Sequence, residues 1–494
     1  MLKTVVAAAV VVSMVSCSSE ADFDNTNTTE SNKQESVETP INFGSYLAQS
    51  KSNLSRAGET TSASSEMTNT ELQAKGFGVV AFYTGKDEYT SGTTNMEPNF
   101  MYNTQVHTAQ WTYSPIAYWP NSGQNQGSTS IGDAQQYVSF FAYAPYKAVN
   151  VQGDNSGKAT DNATTGVTAL SSNAVTGDPT VSYTLGATGA DADLLWGTAG
   201  TNGTTTTGTA QAGTTFAGAK GAVNANLSKM KVNGKVQFNF KHALAKFGGT
   251  GATGTDNKNS GLMVVADIDN GTETTGGTLD ATTKITVKSI KIESVIKGSD
   301  ENMTKEASIP TSGTLNLATG VWTTSETNMG KIDYEITSSA ATATDGATKQ
   351  TLNEAIAEPA SVSSWNDLSS VTGVTTTPQI VYTETTPLLI IPDGKDRTFR
   401  ITIDYIVRTK NESLHKGYTE VEQSFYKDLT LKSVSLNAKY NLLIHLGLTS
   451  VKFDATVSDW TNTTMGGATE GSSTDTDPMV IYMPANVAGT ASSN

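Results

Sequence analysis

The 494-residue chain has one cysteine and four histidines, and these scarcities exclude whole classes of chemistry. A single cysteine cannot close an internal disulfide, build a cysteine zinc site or run dithiol exchange. His107, His242, His415 and His445 are far apart and lack metal-ligand spacing, and His445 sits in an apolar strand-like run where a hydrogen-bonded structural histidine is the commoner role. Positive charge is also short. Lys+Arg number 32 against 47 Asp+Glu, a formal net charge of −15, which repels phosphate backbones and argues against nucleic acid as a partner. Nucleophile elbow, phosphate loop and HExxH are all missing. Asp267-Ile268-Asp269-Asn270-Gly271 places its glycine too early for a calcium loop and lacks the closing glutamate. The residues therefore indicate no enzyme, no metal and no cofactor, although a glycosidase carboxylate pair would leave no mark in a sequence. Beyond residue 17 no apolar run approaches the roughly 20 residues of a membrane-crossing helix, and helix-period patterning is missing throughout.

The one concentrated apolar run is at the start. Lys3 supplies a basic region, residues 5–12 are all Val or Ala, and Met14-Val15-Ser16-Cys17 closes the segment on small residues and the sole cysteine. That is the layout of a bacterial lipoprotein signal over residues 1–16, with Cys17 as the acylated residue and lipid as the anchor at the outer membrane. An ordinary secretory signal with a chance cysteine is the bland alternative. Residues 18–40 are polar, rich in Asn, Thr, Ser and Glu, and read as a disordered tether. Ile41-Asn42-Phe43-Gly44-Ser45-Tyr46-Leu47 is a short strand-like patch, and Arg56-Ala57 follows it in a Ser/Gly-flanked stretch that a trypsin-like protease could reach, with Lys51 as a second basic position.

From Phe77 onward the pattern is strand after strand. Residues 77–83, 100–106 and 137–145 are apolar or alternating, and 111–120 is an aromatic cluster punctuated by Pro115 and Pro120. That cluster could serve as a glycan platform, but core packing is the commoner use of such rings. Residues 150–221 are dominated by Thr, Gly, Ala, Asn and Ser, and read as long surface loops around one or two strands. Val236, Phe238 and Phe240 alternate with Lys235, Gln237, Asn239 and Lys241, as in a strand with one buried face. Further strands are expected at 262–266, 285–295, 314–317, 387–392, 398–407 and 440–448. Many short strands in a chain this long predict an all-β fold of two β-sandwich domains in series. A polar linker then leads to a last apolar strand, Met479-Val480-Ile481-Tyr482-Met483, ending at Pro484.

The lipoprotein box, Ser55-Arg56-Ala57, Tyr118-Trp119-Pro120, Phe140-Phe141-Ala142-Tyr143-Ala144-Pro145, Phe240-Lys241-His242-Ala243-Leu244-Ala245-Lys246 and the run from Ser450 to Asp459-Trp460 occur in an order that resembles the fimbrillin family of Bacteroidales, the type V pilus subunits. The resemblance runs from end to end of the chain. It implies two sandwiches of transthyretin/immunoglobulin-like type, at 57–250 and 251–462, preceded by a lipid tether with a removable strand at 17–56 and followed by a linker and donor-type strand at 463–494. It further implies a surface fimbrial subunit supporting adhesion: lipid-anchored through Cys17, cut between Arg56 and Ala57, and polymerised with copies of itself by exchange of a strand containing Val480, Ile481, Tyr482 and Met483. The alternatives are a glycan-binding lipoprotein that keeps its lipid, and an anchor or tip subunit of the fimbria.

Overall fold

The computed structural model describes residues 39–47, 67–120, 136–151, 156–187, 189–200, 213–228, 235–247, 261–266, 279, 281–297, 303–305, 308–338, 348–382, 388–447, 451–459 and 479–482. In the first half the elements are β1 (Asn42–Leu47), α1 (Asn69–Lys75), β2 (Phe77–Gly85), β3 (Met101–Val106), β4 (Tyr137–Ala144), β5 (Gly166–Leu170), β6 (Thr180–Thr184), β7 (Leu195–Ala199), β8 (Asn224–Leu227) and β9 (Lys235–His242). The second half opens with β10 (Ala245–Phe247), β11 (Leu262–Ala266), β12 (Thr283–Lys297), β13 (Met303–Lys305), β14 (Ile309–Pro310), β15 (Ser312–Asn316), β16 (Trp322–Thr324), β17 (Met329–Gly330), β18 (Asp333–Thr337) and β19 (Thr348–Thr351). It closes with β20 (Gln379–Ile380), β21 (Leu388–Ile390), β22 (Arg397–Lys410), β23 (Tyr418–Leu431), β24 (Ala438–Leu446), β25 (Val451–Asp459) and β26 (Met479–Tyr482).

The continuous apolar runs in β2 and β4 have a direct cause. Their sheet, ordered β1-β9-β7-β4-β2-β3, is covered on both faces. Phe77, Val79, Ala81, Val138, Phe140, Ala142 and Ala144 face one core, shared with β1, α1 and the 111–119 segment. Val80, Phe82, Phe141 and Tyr143 face a second core, built with Val167, Leu170, Val181, Tyr183, Leu315 and Trp322. The strands closing that second face form a four-stranded sheet, β16-β15-β6-β5. Sheet on sheet with the core between them is a β-sandwich.

A second sandwich follows. β24 pairs antiparallel with β25 on one side and parallel with β10 and β11 on the other. This sheet packs on β19-β18-β12-β22-β23 through a core that includes Phe247, Val264, Ile292, Ile403, Leu442 and Ile444. The fold is therefore all-β, with two sandwiches along the chain. The passage between them falls at Ala243 and Leu244, between β9 and β10, yet β15 and β16 reach back to complete the first sandwich.

Two local expectations change. Among its described residues the Thr/Gly-rich stretch holds three strands, β5, β6 and β7, and buries Val167, Leu170, Val181, Tyr183 and Trp196. Threonine-rich strands carry little hydrophobic contrast, so their periodicity is faint. Among the described residues there is also one short α-helix, α1, opened by a capping box in which Thr68 Oγ1 accepts from the Glu71 N–H at 3.2 Å while Glu71 Oε2 accepts from the Thr68 N–H at 2.7 Å. Seven residues are too few to display a helical period, but Thr68 and Glu71 at this spacing carry the start signal. No helix among the described residues is long and apolar enough to cross a membrane.

Candidate functional site

The site begins with alternation in β1 and β9. β1 lies parallel to β9, with Phe43 opposite Val236, Ser45 opposite Phe238 and Leu47 opposite Phe240. Ile41 and Phe43 are 1% and 2% exposed, so one face of this N-terminal strand is driven into the core by the hydrophobic effect. Phe43 lies in a socket of rings. Its centroid is 5.2 Å from Tyr113, 6.0 Å from Phe140, 6.2 Å from Phe238 and 6.4 Å from Phe77. Edge-to-face arrangements of this kind add to plain burial.

The other side of the strand entry is held as well. The Ile41 N–H donates to Ala117 O at 2.9 Å and the Trp119 N–H donates to Thr39 O at 2.9 Å. Tyr113 Oη donates to Ile41 O at 2.8 Å. Residues 39–47 thus lie in a slot between β9 and the 117–119 segment. On the outward face, a side chain at Gly44 would run into the Gln237 carboxamide, which lies 2.2 Å from where a Cβ would stand.

After this strand the described chain resumes at Met67, fully buried. The Met67 N–H donates to Asp193 Oδ2 at 2.9 Å, and Asp193 Oδ1 lies 2.9 Å from His242 Nδ1. Asp193 and His242 are 0% and 2% exposed, and the His242 N–H donates to Asn437 Oδ1 at 3.1 Å. The domain therefore takes hold of its own N-terminal end at Met67, independently of β1. The sequence gives one cue to His242, which continues the inward parity of Val236, Phe238 and Phe240; nothing in it points to Asp193.

Of the residues expected to carry function, Cys17, Lys51, Arg56, Ala57 and Met483 lie outside the described residues. Val480, Ile481 and Tyr482 belong to β26, which pairs antiparallel with β25 of the same chain, Tyr482 opposite Lys452 and Met479 opposite Ala455. The tail strand is thus placed on the edge of its own second sandwich, and β1 and β26 are not brought together within one chain. In the aromatic cluster, Trp119 and Tyr113 are 2% and 8% exposed and Trp111 packs on Phe77 at 5.5 Å. These three rings serve the core, while Tyr118 is 44% exposed.

A separate cavity of about 490 Å³ is lined by residues including Lys75, Gln105, Tyr146, Lys147, Thr165 and Asp191. Lys75 pairs with Asp191 at 2.7 Å and Lys147 with Asp161 at 2.6 Å, and Asp191 is the one carboxylate among the described residues of the lining. No group of three or more metal-ligating side chains occurs among the described residues.

No family model matches the chain, and no curated protein matches it. Among solved structures it is similar to a fimbrial protein from Bacteroides vulgatus, at 17% identity and a TM-score of 0.48, covering 85% of this chain and 99% of that one. It is also similar to candidate cell adhesion proteins from Bacteroides uniformis (13% identity, TM-score 0.32, covering 86% and 98%) and Bacteroides ovatus (12%, 0.32, 86% and 99%).

Proposed function

We propose that this chain is a non-enzymatic structural subunit of a cell-surface fimbria that supports adhesion. In this reading it is exported as a lipoprotein acylated at Cys17 and held at the outer membrane. A trypsin-like protease then cuts between Arg56 and Ala57. The N-terminal strand leaves, and a strand from a neighbouring copy, containing Val480, Ile481, Tyr482 and Met483, takes its place. The observation that carries the reading is the slot around residues 39–47. It is filled by a strand whose covalent link to the domain is the 48–66 segment, and the domain is anchored afresh at Met67. A cut in 48–66 would therefore leave the fold intact and the slot held only by noncovalent contacts.

Emptying the slot exposes the ring socket and unpairs the β9 edge. Burying Ile41 and Phe43 contributes about 1.5–3 kcal/mol each, so an empty slot recruits another strand by edge addition, with main-chain bonds for adhesion and alternate side chains for register. The test is the N-terminal residue of protein sheared from cells, together with an Arg56→Ala variant. The sheared protein should begin at Ala57, and the variant should remain lipidated and unpolymerised. Polymer of normal length from Arg56→Ala would sink the exchange reading, whereas a start after Lys51 would relocate the cut alone.

A further inference from the structure

Among the described residues, six buried side-chain polar atoms lack a hydrogen-bond partner, and two of them lie on the β1/β9 pairing: Ser45 Oγ and Asn239 Oδ1. Ser45 stands opposite Phe238 and shares the inward parity of Phe43. Its neighbours on that face of the pairing, Phe43, Val236, Phe238 and Phe240, are all apolar and buried. A hydroxyl shut away from water without an acceptor loses its hydration and gains nothing in return. The segment from Ile41 through β1 therefore fills its first two inward positions well, with Ile41 and Phe43, and its third badly.

We infer that Ser45 is a built-in mismatch that makes β1 the weaker occupant of its own slot, and that the slot prefers a strand with an apolar residue at this position. The occupant is the tail strand of a second copy of this chain. In Met479-Val480-Ile481-Tyr482 the first three residues are wholly apolar and the fourth is aromatic, so each face of that strand carries an apolar side chain, Met479 or Ile481 on one and Val480 on the other, to set at the position held by Ser45. The mismatch has little consequence while β1 is covalently joined to the domain, because the joined strand stays at high effective concentration. Once the 48–66 segment is cut that advantage ends, and the better-matched strand wins. Ser45 thus gives the exchange a direction. This inference rests on the strand-exchange reading above.

The test uses the full chain, cut in the 48–66 segment by limited trypsin treatment. It is titrated with a fluorescent synthetic peptide of residues 477–485, whose uptake is followed by anisotropy and release of the N-terminal fragment by mass spectrometry. For Ser45→Val, the peptide concentration that displaces half of β1 should rise about tenfold, the cost of one buried unpaired hydroxyl. Ser45→Ala, which removes the hydroxyl without adding bulk, should shift it in the same direction and keeps the test intact if valine disturbs folding. Equal half-displacement concentrations for wild type and both variants, with the peptide still taken up, would overturn the role of Ser45 alone. No uptake and no release from any of the three would overturn the exchange reading, and this inference with it.

Discussion

At the scale of single residues, the buried tyrosines make the fold sensitive to alkali. Tyr143 and Tyr405 are fully buried and Tyr89 and Tyr183 are 1% exposed. Their hydroxyls donate to Asn103 Oδ1 at 2.8 Å, Gly447 O at 2.9 Å, Asp178 Oδ1 at 2.8 Å and Ala192 O at 2.5 Å respectively. Burial pushes all four phenols well above their ordinary range, and the Asp178 carboxylate adds to the effect at Tyr89. Half-buried Tyr102 is pushed up to about 12 by the same cause. A free tyrosine ionises near pH ~10. Above that pH the unfolded chain sheds these protons and the folded chain keeps them, so stability falls as pH rises, by about 1.4 kcal/mol per pH unit for each such tyrosine. Urea midpoints should hold steady from pH 7 to about 9 and drop steeply beyond about 10.5. A midpoint unchanged at about pH 11.5 would show that the phenols ionise in place. Asp178 is where sequence reading has least purchase. Its carboxylate accepts from Tyr89, Ser91, Gly92 and Asn316, a knot of residues scattered from 89 to 316 that only the folded chain assembles.

At the scale of elements, legibility follows hydrophobic contrast. β9 reads directly from sequence because its outward positions are Lys, Gln and Asn while Val236, Phe238 and Phe240 are fully buried. β2 and β4 read as unbroken apolar runs because each separates two cores. β5 and α1 escape notice, the first through its threonine and glycine content and the second through its shortness. The slot around β1 is half legible: residues 41–47 look like a strand, but nothing in the sequence says that they would lie parallel to β9 or that Trp119 and Ala117 would bond to Thr39 and Ile41. The tail follows the same logic. β26 lies beside only Lys452–Ala455 of a β25 that runs from Val451 to Asp459, and it is the last strand among the described residues. A four-residue strand paired along the edge of a sheet can be removed without unfolding the sheet it borders. Deleting residues 479–494 should therefore leave a soluble, folded chain that is still processed and makes no fibres by electron microscopy. Fibres from the truncated chain would move the donor strand elsewhere, and failure to fold would make β26 an integral part of the second sandwich.

At the scale of the whole molecule, the decisive contacts are those that tie the halves together. Strand β15 pairs with β6 from Ser312↔Thr184 to Asn316↔Thr180, so one sheet is built across the residue-250 region that the sequence reads as a boundary. Tryptophans bond across the same divide. Trp196 Nε1 donates to Leu317 O at 2.9 Å and Trp322 Nε1 donates to Ala243 O at 2.8 Å, both buried. The shared core also takes in Leu389 of β21 and Ile391 just after it, and the His242 N–H donates to Asn437. Losing the second half would leave Val181, Tyr183 and Trp196 without their cover, so the first sandwich cannot keep its structure once the second is lost. Two domains joined only by a linker would melt separately, whereas a shared core couples them into one cooperative unit. Calorimetry should accordingly give a single transition, with the calorimetric enthalpy matching the van't Hoff value. Leu315 is fully buried on β15, and Leu315→Ala should cost about 2–5 kcal/mol through lost burial and the cavity it leaves. Because that residue lies where the halves meet, the loss should lower the one transition as a whole. Two resolved peaks in the wild type would show that the shared sheet contributes too little to link the sandwiches. A variant that keeps one peak at the original temperature would show that Leu315 lies outside the cooperative core.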